Sequence, residues 1–199
     1  MKIIRYSELI DNIDFFNFLK EESLETAQPA STNLWSEDLK SNNHTLSYIL
    51  TNTTRFNGVN GEFFILYDND KIVASSGIYI SKFSKDIVIA GVRTWVNKKY
   101  RHLGLNKDYL LVEQKKWATD RNSKMIALSF NEYNKNIIQI FKRNRLGEKS
   151  GRIENREPKH MFYNGLLEVN FPVTIQYTKQ WVIYEKLDPT FNFDWSNIK

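Results

Sequence analysis

An alternation of apolar runs and short polar breaks in the middle of the chain predicts a β-sheet. Glu62–Tyr67 and Lys71–Ile80 are rich in aromatic and β-branched residues, and Asp68-Asn69-Asp70 between them is a typical turn sequence. These two runs therefore predict a β-hairpin. After the polar break Ser81–Lys85, the apolar segment Asp86–Val96 predicts a third antiparallel strand.

Apolar residues at helical spacing follow a short first strand over Lys2–Tyr6. The pattern predicts a helix that begins at Ser7, with Ser7 as its N-cap. Its predicted apolar face consists of Leu9, Ile13, Phe16 and either Leu19 or Lys20. A second helix is predicted to begin near Ser36, where the acidic pair Glu37-Asp38 is typical of a first turn.

The pattern beyond the third strand predicts alternating helices and strands. In chain order these are a helix over Lys107–Thr119, a strand over Met125–Phe130, a helix over Asn134–Asn144, and strands over Lys159–Leu167 and Val173–Lys186. The strand over Met125–Phe130 is short and continuously apolar, as is typical of a buried parallel neighbour to the third strand.

A basic loop, Val96–Asn106, joins the third strand to the helix that follows it. The first amides of a helix lack intrahelical partners and carry partial positive charge, so they attract anions. Gly104 allows a close approach of the backbone to a ligand. Lys98, Lys99, Arg101 and Lys107 add positive charge around the same point. The loop therefore predicts a site for a ligand that carries phosphate groups.

The spacing Arg101-x-x-Gly104-x-Asn106 resembles the acyl-CoA pyrophosphate loop of the GNAT-type N-acetyltransferases, whose usual form is Arg/Gln-x-x-Gly-x-Gly/Ala. Arg101 and Gly104 match this form, whereas Asn106 departs from the small residue expected in the last position.

A second motif strengthens the resemblance. The family carries Asn-x-x-Ala-x-x-x-Tyr behind the following strand, and here Asn134 matches, with Ile137 in place of Ala and Phe141 in place of Tyr. The resemblance covers roughly Glu62 to Gly147. It implies an α/β (α+β) fold of the GNAT type, with a central, mixed and mostly antiparallel sheet flanked by helices. We expect a single domain over residues 1–187 and a C-terminal tail over 188–199, which is either docked or an interaction strip.

The resemblance also implies which residues bind acetyl-CoA as co-substrate. The backbone of Trp95 and Val96 would hold the pantetheine arm, and Asn134 would lie along it. The pyrophosphate would be held by the amides of Arg101, His102, Leu103, Gly104, Leu105 and Asn106. Lys98, Lys99 and Lys107 are alternatives for the ribose phosphate. No metal is expected, because the chain has no cysteine and three scattered histidines.

No catalytic residue follows from the sequence. Phe141 stands where the family commonly has a tyrosine that protonates the leaving thiolate, and phenylalanine has no proton to give. The alternative acids are Tyr133, Tyr163, Tyr177 and Tyr184, and the alternative bases are Glu62, Glu132 and His160.

Composition sets the remaining limits. The aromatic content of 14% is ample for a core in a chain of 199 residues. No apolar run approaches the roughly 20 residues that span a bilayer, and no signal peptide is apparent, so we expect a cytoplasmic protein without a membrane partner. The net charge is +5, and residues 97–116 and 142–159 carry most of the excess of Lys and Arg.

Three functions stay open from the sequence. The first is an N-acetyltransferase that acts on a primary amine of a small molecule or peptide. The second is a catalytically silent GNAT-like domain that binds an acyl-CoA or a protein. The third is a nucleic-acid-binding protein that uses the basic stretches, but no nucleic-acid-binding motif supports it. Neither the acceptor amine nor the oligomeric state can be read from the sequence.

Overall fold

The structure, a computed structural model, describes residues 1–26, 49–50, 52–131, 165–173 and 176–194. The strands are β1 (Lys2–Arg5), β2 (Gly61–Asp68), β3 (Lys71–Ile80), β4 (Ile87–Val96), β5 (Met125–Asn131), β6 (Gly165–Val173) and β7 (Gln176–Lys186). The α-helices are α1 (Ile13–Thr26) and α2 (Leu111–Asp120), and a wide π-helical turn over Asn106–Leu110 leads directly into α2. Short 3-10 turns occupy Tyr6–Glu8 and Lys98–Tyr100.

The chain folds as two compact units, the first formed by Met1–Tyr79 with Val92–Glu113 and the second by Ile80–Gly91 with Gln114–Lys199. In the first unit, β1 pairs with β2 and β2 pairs with β3, both antiparallel. The predicted hairpin is confirmed. Asn69 in its turn has a φ of 53°, a conformation that Asn tolerates better than most residues.

In the second unit, the first residues of β4 pair in parallel with β5, with Ile87–Ile89 aligned to Met125–Ala127. β5 then pairs with β7, and β7 with β6, both antiparallel. The parallel pair needs a crossover connection, and α2 lies in that connection. Within the described residues the strand order is β1-β2-β3-β4-β5-β7-β6, which confirms the predicted mixed, mostly antiparallel sheet.

The core of the first unit is aromatic. Phe15, Phe18 and Leu19 on α1 are buried, and they pack with a cluster that contains Phe63 of β2 and Trp95 of β4. The Phe18 and Trp95 rings meet edge to face at 4.6 Å between centroids, and those of Phe15 and Phe63 lie 6.4 Å apart. Each such ring contributes about 1.5–3 kcal/mol by leaving water, so α1 is held to the sheet mainly by these contacts.

The predicted start of the first helix is wrong. The chain makes only a 3-10 turn over Tyr6–Glu8, and α1 begins at Ile13, with the Phe16 amide bonded to the Asn12 carbonyl at 2.9 Å. The predicted buried face is right in part. Leu19 is buried, and Leu9 and Phe16 pack partly buried against the same cluster. Ile13 is wrong, because it is 62% exposed, and Phe15 and Phe18, which that face did not include, are buried. Ser7 is not the cap of α1, which starts six residues later, and its amide and its hydroxyl both donate to Glu62.

Glu62 clamps the end of β1 to the start of β2. One carboxylate oxygen accepts the amide of Ser7 at 3.1 Å and the amide of Phe63 at 2.9 Å, and the other accepts the Ser7 hydroxyl. The side chain is only 1% exposed. Burial raises the pKa of the Glu62 carboxyl above its usual value, and the hydrogen bonds from Ser7 and Phe63 oppose that rise.

The late strands and the tail were predicted in part. β7 agrees with the predicted strand Val173–Lys186, but β6 extends to Val173 rather than ending at Leu167. In the tail, the Phe193 ring lies 5.6 Å from the Phe83 ring, and Lys186 Nζ donates to Asn192 Oδ1 at 2.6 Å, so this part of the tail is docked. The helices predicted near Ser36 and over Asn134–Asn144 lie outside the described residues.

Among the helices of the described segments, none is both long enough and apolar enough to cross a bilayer.

Replacement of Glu62 by Gln is expected to change how stability depends on pH. Gln keeps the acceptor for the two amides and imitates the protonated carboxyl. Since the pKa of the folded protein is raised from 4.5, the folded state holds a proton that the unfolded state has lost. The free energy of unfolding of the wild type should therefore fall, relative to Glu62→Gln, as pH rises above about 4.5.

Urea unfolding of both proteins between pH 4 and 8 measures this difference. Glu21→Gln, at an exposed position of α1, is the matched control and should follow the wild type. If the free energies of unfolding of the wild type and of Glu62→Gln differ by the same amount at every pH in this range, the assigned direction of the pKa shift is wrong.

Candidate functional site

The strand that leads to the basic loop departs from regular geometry before it ends. Gly91 has a φ of 68° and Arg93 a φ of 49°, both in the left-handed region. Residues of this kind within a strand mark a β-bulge, which bends the strand and is common beside binding sites. Beyond the bulge, Ser76 Oγ and Thr94 Oγ1 lie 2.6 Å apart, and the Asn97 amide donates to the Val73 carbonyl at 2.9 Å. The last part of β4 is therefore fixed to β3.

The loop after β4 is tied down at several points. Asn97 Oδ1 accepts the amide of Lys99 at 3.1 Å, which caps the 3-10 turn over Lys98–Tyr100. Arg101 Nε donates to the Val96 carbonyl at 3.0 Å. These bonds hold the loop in one conformation ahead of the helix start, so less ordering is needed when a ligand binds.

A longer-range bond joins the same loop to the hairpin turn. The Tyr100 hydroxyl donates to Asp68 Oδ2 at 3.1 Å. This hydrogen bond, and to a lesser extent burial, raises the pKa of Tyr100 because both favour the protonated phenol. Neither residue was predicted to belong to the site. No local sequence signal joins them, since they are 32 positions apart.

The backbone at the end of the loop is shaped to receive an anion. His102 and Gly104 have φ of 71° and 74°, and Leu105 then adopts right-handed helical angles, φ −54° and ψ −39°. A left-handed residue beside a right-handed one makes successive amides converge into a concave nest. The first bond of the helix runs from the Asp108 amide to the Gly104 carbonyl at 2.9 Å. The amides of Leu105, Asn106 and Lys107 therefore precede the helical ladder.

Positive side chains surround this nest. Lys98, Lys99 and Arg101 are exposed on the loop, and Lys107 follows in the first helical turn. Two acidic side chains oppose them. Asp108 Oδ2 lies 2.7 Å from the point that a Cβ on Gly104 would occupy, and Asp68 accepts from Tyr100. Four cations against two carboxylates leave the loop net positive.

Asn106 has a polar atom that the described residues leave without a partner. Its Oδ1 is buried and accepts no hydrogen bond there. Buried amide oxygens are nearly always paired, because leaving one unpaired costs about 1–3 kcal/mol. A polar ligand bound at the helix start would supply that partner. Because an amide oxygen can only accept, that partner has to bring an N–H or O–H donor, which an ionised phosphate does not have.

The other predicted binding residues are placed as follows. The Trp95 ring is 4% exposed in the aromatic core, so only the backbone of Trp95 is available to a ligand. Val96 is half-buried, and its carbonyl is engaged by Arg101. Leu105 is buried, whereas His102 and Leu103 are exposed. Asn134 lies outside the described residues.

The candidate acids and bases remain unassigned. Glu62 is engaged in the clamp with Ser7, and Tyr184 is half-buried on β7. Tyr177 belongs to β7 as well. Tyr133, Tyr163, Glu132, His160 and Phe141 lie outside the described residues. In the part of the chain that the structure describes, no three His, Asp or Glu side chains come together as metal ligands.

Comparison with known proteins gives one kind of match. No family model matches the chain, and no curated protein matches its sequence. Solved structures do match. The PaiA N-acetyltransferase of Thermoplasma acidophilum, solved in complex with coenzyme A, aligns with a TM-score of 0.56 at 12% identity, over 94% of this chain and 99% of that one.

Two further structures align over similar spans. The ribosomal-protein-alanine N-acetyltransferase of Brucella melitensis has a TM-score of 0.55 at 12% identity, over 94% of this chain and 100% of that one. A GNAT-family acetyltransferase of Staphylococcus aureus Mu50 has a TM-score of 0.52 at 18% identity, over 94% and 99% of the two chains. With the mixed sheet and the basic loop after β4, these alignments confirm that the chain has the fold of the GNAT-type N-acetyltransferases.

Proposed function

We propose that this protein is an acyl-CoA-dependent N-acetyltransferase that moves an acetyl group from acetyl-CoA to a primary amine. The observation that carries the proposal is the loop after β4. Its backbone turns through the left-handed Gly104 into the helix start, and its side chains are predominantly basic. A pyrophosphate offers two adjacent anionic groups to such a nest of amides.

Each predicted binding residue has a role in this proposal. The amides of Gly104, Leu105 and Asn106 hold the pyrophosphate, together with the preceding amides of Arg101, His102 and Leu103. The backbone of Trp95 and Val96 holds the pantetheine arm, and Asn134 lies along that arm. Lys98, Lys99 and Lys107 are the candidates for the ribose phosphate. What supports the arrangement is the anchoring of the loop by Tyr100 and Arg101, which fixes its backbone. The amides of Arg101 and Leu103 donate to the carbonyls of Lys98 and Tyr100 at 3.4 Å, and these are long bonds that a pyrophosphate would have to displace.

Acetyl-CoA supplies the acetyl thioester, and the chain has to supply an acceptor site that holds the amine. The amine must be neutral to attack a carbonyl, so a side chain or a chain of waters has to remove its proton. Backbone amides near the end of β4 are suited to stabilise negative charge on the carbonyl oxygen. The base remains unassigned, because Glu62 is committed to the clamp with Ser7.

The second candidate function is a silent domain that binds an acyl-CoA without turning it over. The observation that favours it is Phe141, which replaces the tyrosine of the second motif. Both functions use the same loop. They differ only in whether a group is present that can protonate the leaving thiolate.

The acceptor class follows from the proposed reaction. The Brucella protein is a ribosomal-protein-alanine N-acetyltransferase, so an amine on a small molecule or a peptide is the acceptor that we propose here. The basic stretch over residues 142–159 would favour an acidic molecule.

Replacement of Gly104 by Ala is expected to weaken acetyl-CoA binding by about tenfold, because a φ of 74° costs a non-glycine residue about 1–2 kcal/mol. Calorimetric titration of the wild type should give a micromolar Kd. Gly58→Ala is the matched control, since Gly58 also has a positive φ, of 81°, but lies beside Ser7. This control should lose stability and keep its affinity. No binding of acetyl-CoA to the wild type would rule out both candidate functions.

Replacement of Tyr100 by Phe is expected to weaken acetyl-CoA binding about fivefold, since one hydrogen bond contributes about 1 kcal/mol. The reason is that the loop loses its bond to Asp68. Titration measures the affinity, and amide exchange of residues 98–106 measures the mobility of the loop. Tyr109→Phe removes a hydroxyl from the exposed side of the helix start and is the control. Unchanged affinity together with faster loop exchange would mean that the anchor does not serve binding.

Replacement of Phe141 by Tyr separates the two candidate functions. If the protein is a transferase that lacks only a general acid, kcat with a peptide or polyamine acceptor should rise by about 10²–10⁴-fold, which is the usual contribution of such an acid. Phe141→Leu changes the ring without adding a hydroxyl and should show no gain. Intact acetyl-CoA binding without turnover in the wild type and in both variants would favour the silent domain.

A further inference from the structure

Gln114 is a polar residue in the middle of the buried face of α2 and the turn before it. The buried residues of this segment are Leu110, Leu111, Gln114, Trp117 and Ala118, which share one side of the helix. The Gln114 side chain is 0% exposed. A primary amide in an otherwise apolar row is costly unless it is hydrogen-bonded, so its presence calls for a specific partner.

That partner is on β4. Gln114 Oε1 accepts the amide of Gly91 at 3.1 Å. An amide in an interior strand ordinarily pairs with the neighbouring strand, because buried backbone donors must be satisfied. Ile87–Ile89 of β4 pair with Met125–Ala127 of β5. Two residues after Ile89, the amide of Gly91 donates to the side chain of Gln114 on α2.

The bond coincides with the point where β4 changes direction. Gly91 and Arg93 are both in the left-handed region, and a left-handed arginine in a strand is strained by about 1–3 kcal/mol. Strain of this kind persists only where the surroundings fix the backbone. Gln114 is one such restraint, because it satisfies the amide that would otherwise favour continued pairing with β5.

We propose that Gln114 is a positioning residue for the pantetheine arm of the acyl-CoA. Its side-chain oxygen accepts the amide of Gly91 in place of a carbonyl of β5. The backbone of β4 beyond Gly91 therefore does not need to pair with β5 and can face the ligand. The effect passes along β4 itself to Trp95 and Val96, the residues assigned to the arm. The inference rests on the proposed acyl-CoA function, and it separates the determinants of the arm from those of the nucleotide.

The test compares two ligands on the Gln114→Met variant. Met is close to Gln in volume and shape but offers no strong acceptor. One ligand is coenzyme A, and the other is 3′-phosphoadenosine 5′-diphosphate, which is coenzyme A without the pantetheine arm. We expect the Kd for coenzyme A to rise about tenfold and the Kd for the nucleotide to stay within about twofold. An unchanged ratio of the two Kd values would overturn the proposal.

Two variants control for loss of packing. Gln114→Glu keeps an acceptor oxygen for the Gly91 amide and should retain the wild-type ratio of affinities. Trp117→Phe reduces a buried side chain on the same helix face and should lower the Tm without changing the ratio. If Trp117→Phe shifts the ratio as Gln114→Met does, the effect is one of general stability and the proposal fails.

A measurement on the wild type keeps the proposal testable should Gln114→Met not fold. The Gly91 amide should exchange slowly with solvent, and it should exchange faster in Gln114→Ala. Rapid exchange at Gly91 in the wild type would contradict the bond and the role built on it. If the wild type binds neither ligand while its Gly91 amide is protected, the proposed acyl-CoA function fails and the restraint on β4 stands as structural only.

Discussion

The structure depends on one constraint, which is that the backbone of β4 has to leave its pairing with β5 without leaving a buried amide unpaired. Ile87–Ile89 are paired with β5, and the amide of Gly91 donates instead to the side-chain oxygen of Gln114. From there the left-handed residues redirect the strand, and its last residues are fixed to β3 through Val73 and Asn97. A strand that kept its full ladder would satisfy the same amides at less cost in strain. It would offer no free backbone to a ligand, because every donor and acceptor would be in use.

The elements that depend only on residues adjacent in the sequence could be predicted from the sequence. The β2–β3 hairpin follows from two β-favouring runs and an Asp-Asn-Asp turn, and β5 follows from its short apolar run. The start of α1 could not be predicted, because Ser7 has the chemistry of a helix cap but is hydrogen-bonded to a residue far away in the sequence. The carboxylate of Glu62, 55 positions away, takes its amide and its hydroxyl. The chain enters α1 six residues after Ser7, and Phe15 and Phe18 face the core together with the predicted Leu19.

The candidate site divides in the same way. Arg101, Gly104 and the helix start could be predicted because a positive charge, a left-handed glycine and free amides are properties of adjacent residues. The anchor between Tyr100 and Asp68 joins two segments that meet only after the hairpin has folded. Gln114 looks from sequence like a surface residue, because it lies among the charged residues Glu113, Lys115 and Lys116. The period of the helix alone does not show that its amide oxygen faces the amide of Gly91. Contacts of this kind depend on tertiary structure, and pattern analysis of a single chain does not find them.

In the loop, side chains hold the backbone in place, whereas the groups proposed to bind the ligand are backbone amides. This difference explains why the loop has only a short sequence motif. The side chains of Asn97, Tyr100 and Arg101 hold the loop, and none of them uses the amides that precede the helical ladder. Backbone amides are the same for every residue except proline, so the binding surface constrains side chains only where the φ angle demands glycine, as at Gly104. Asn106 can then replace the usual small residue, and the positioning bonds can be made by different side chains in different proteins. The fold is thus shared with solved structures at 10–18% identity, although no family model matches the chain.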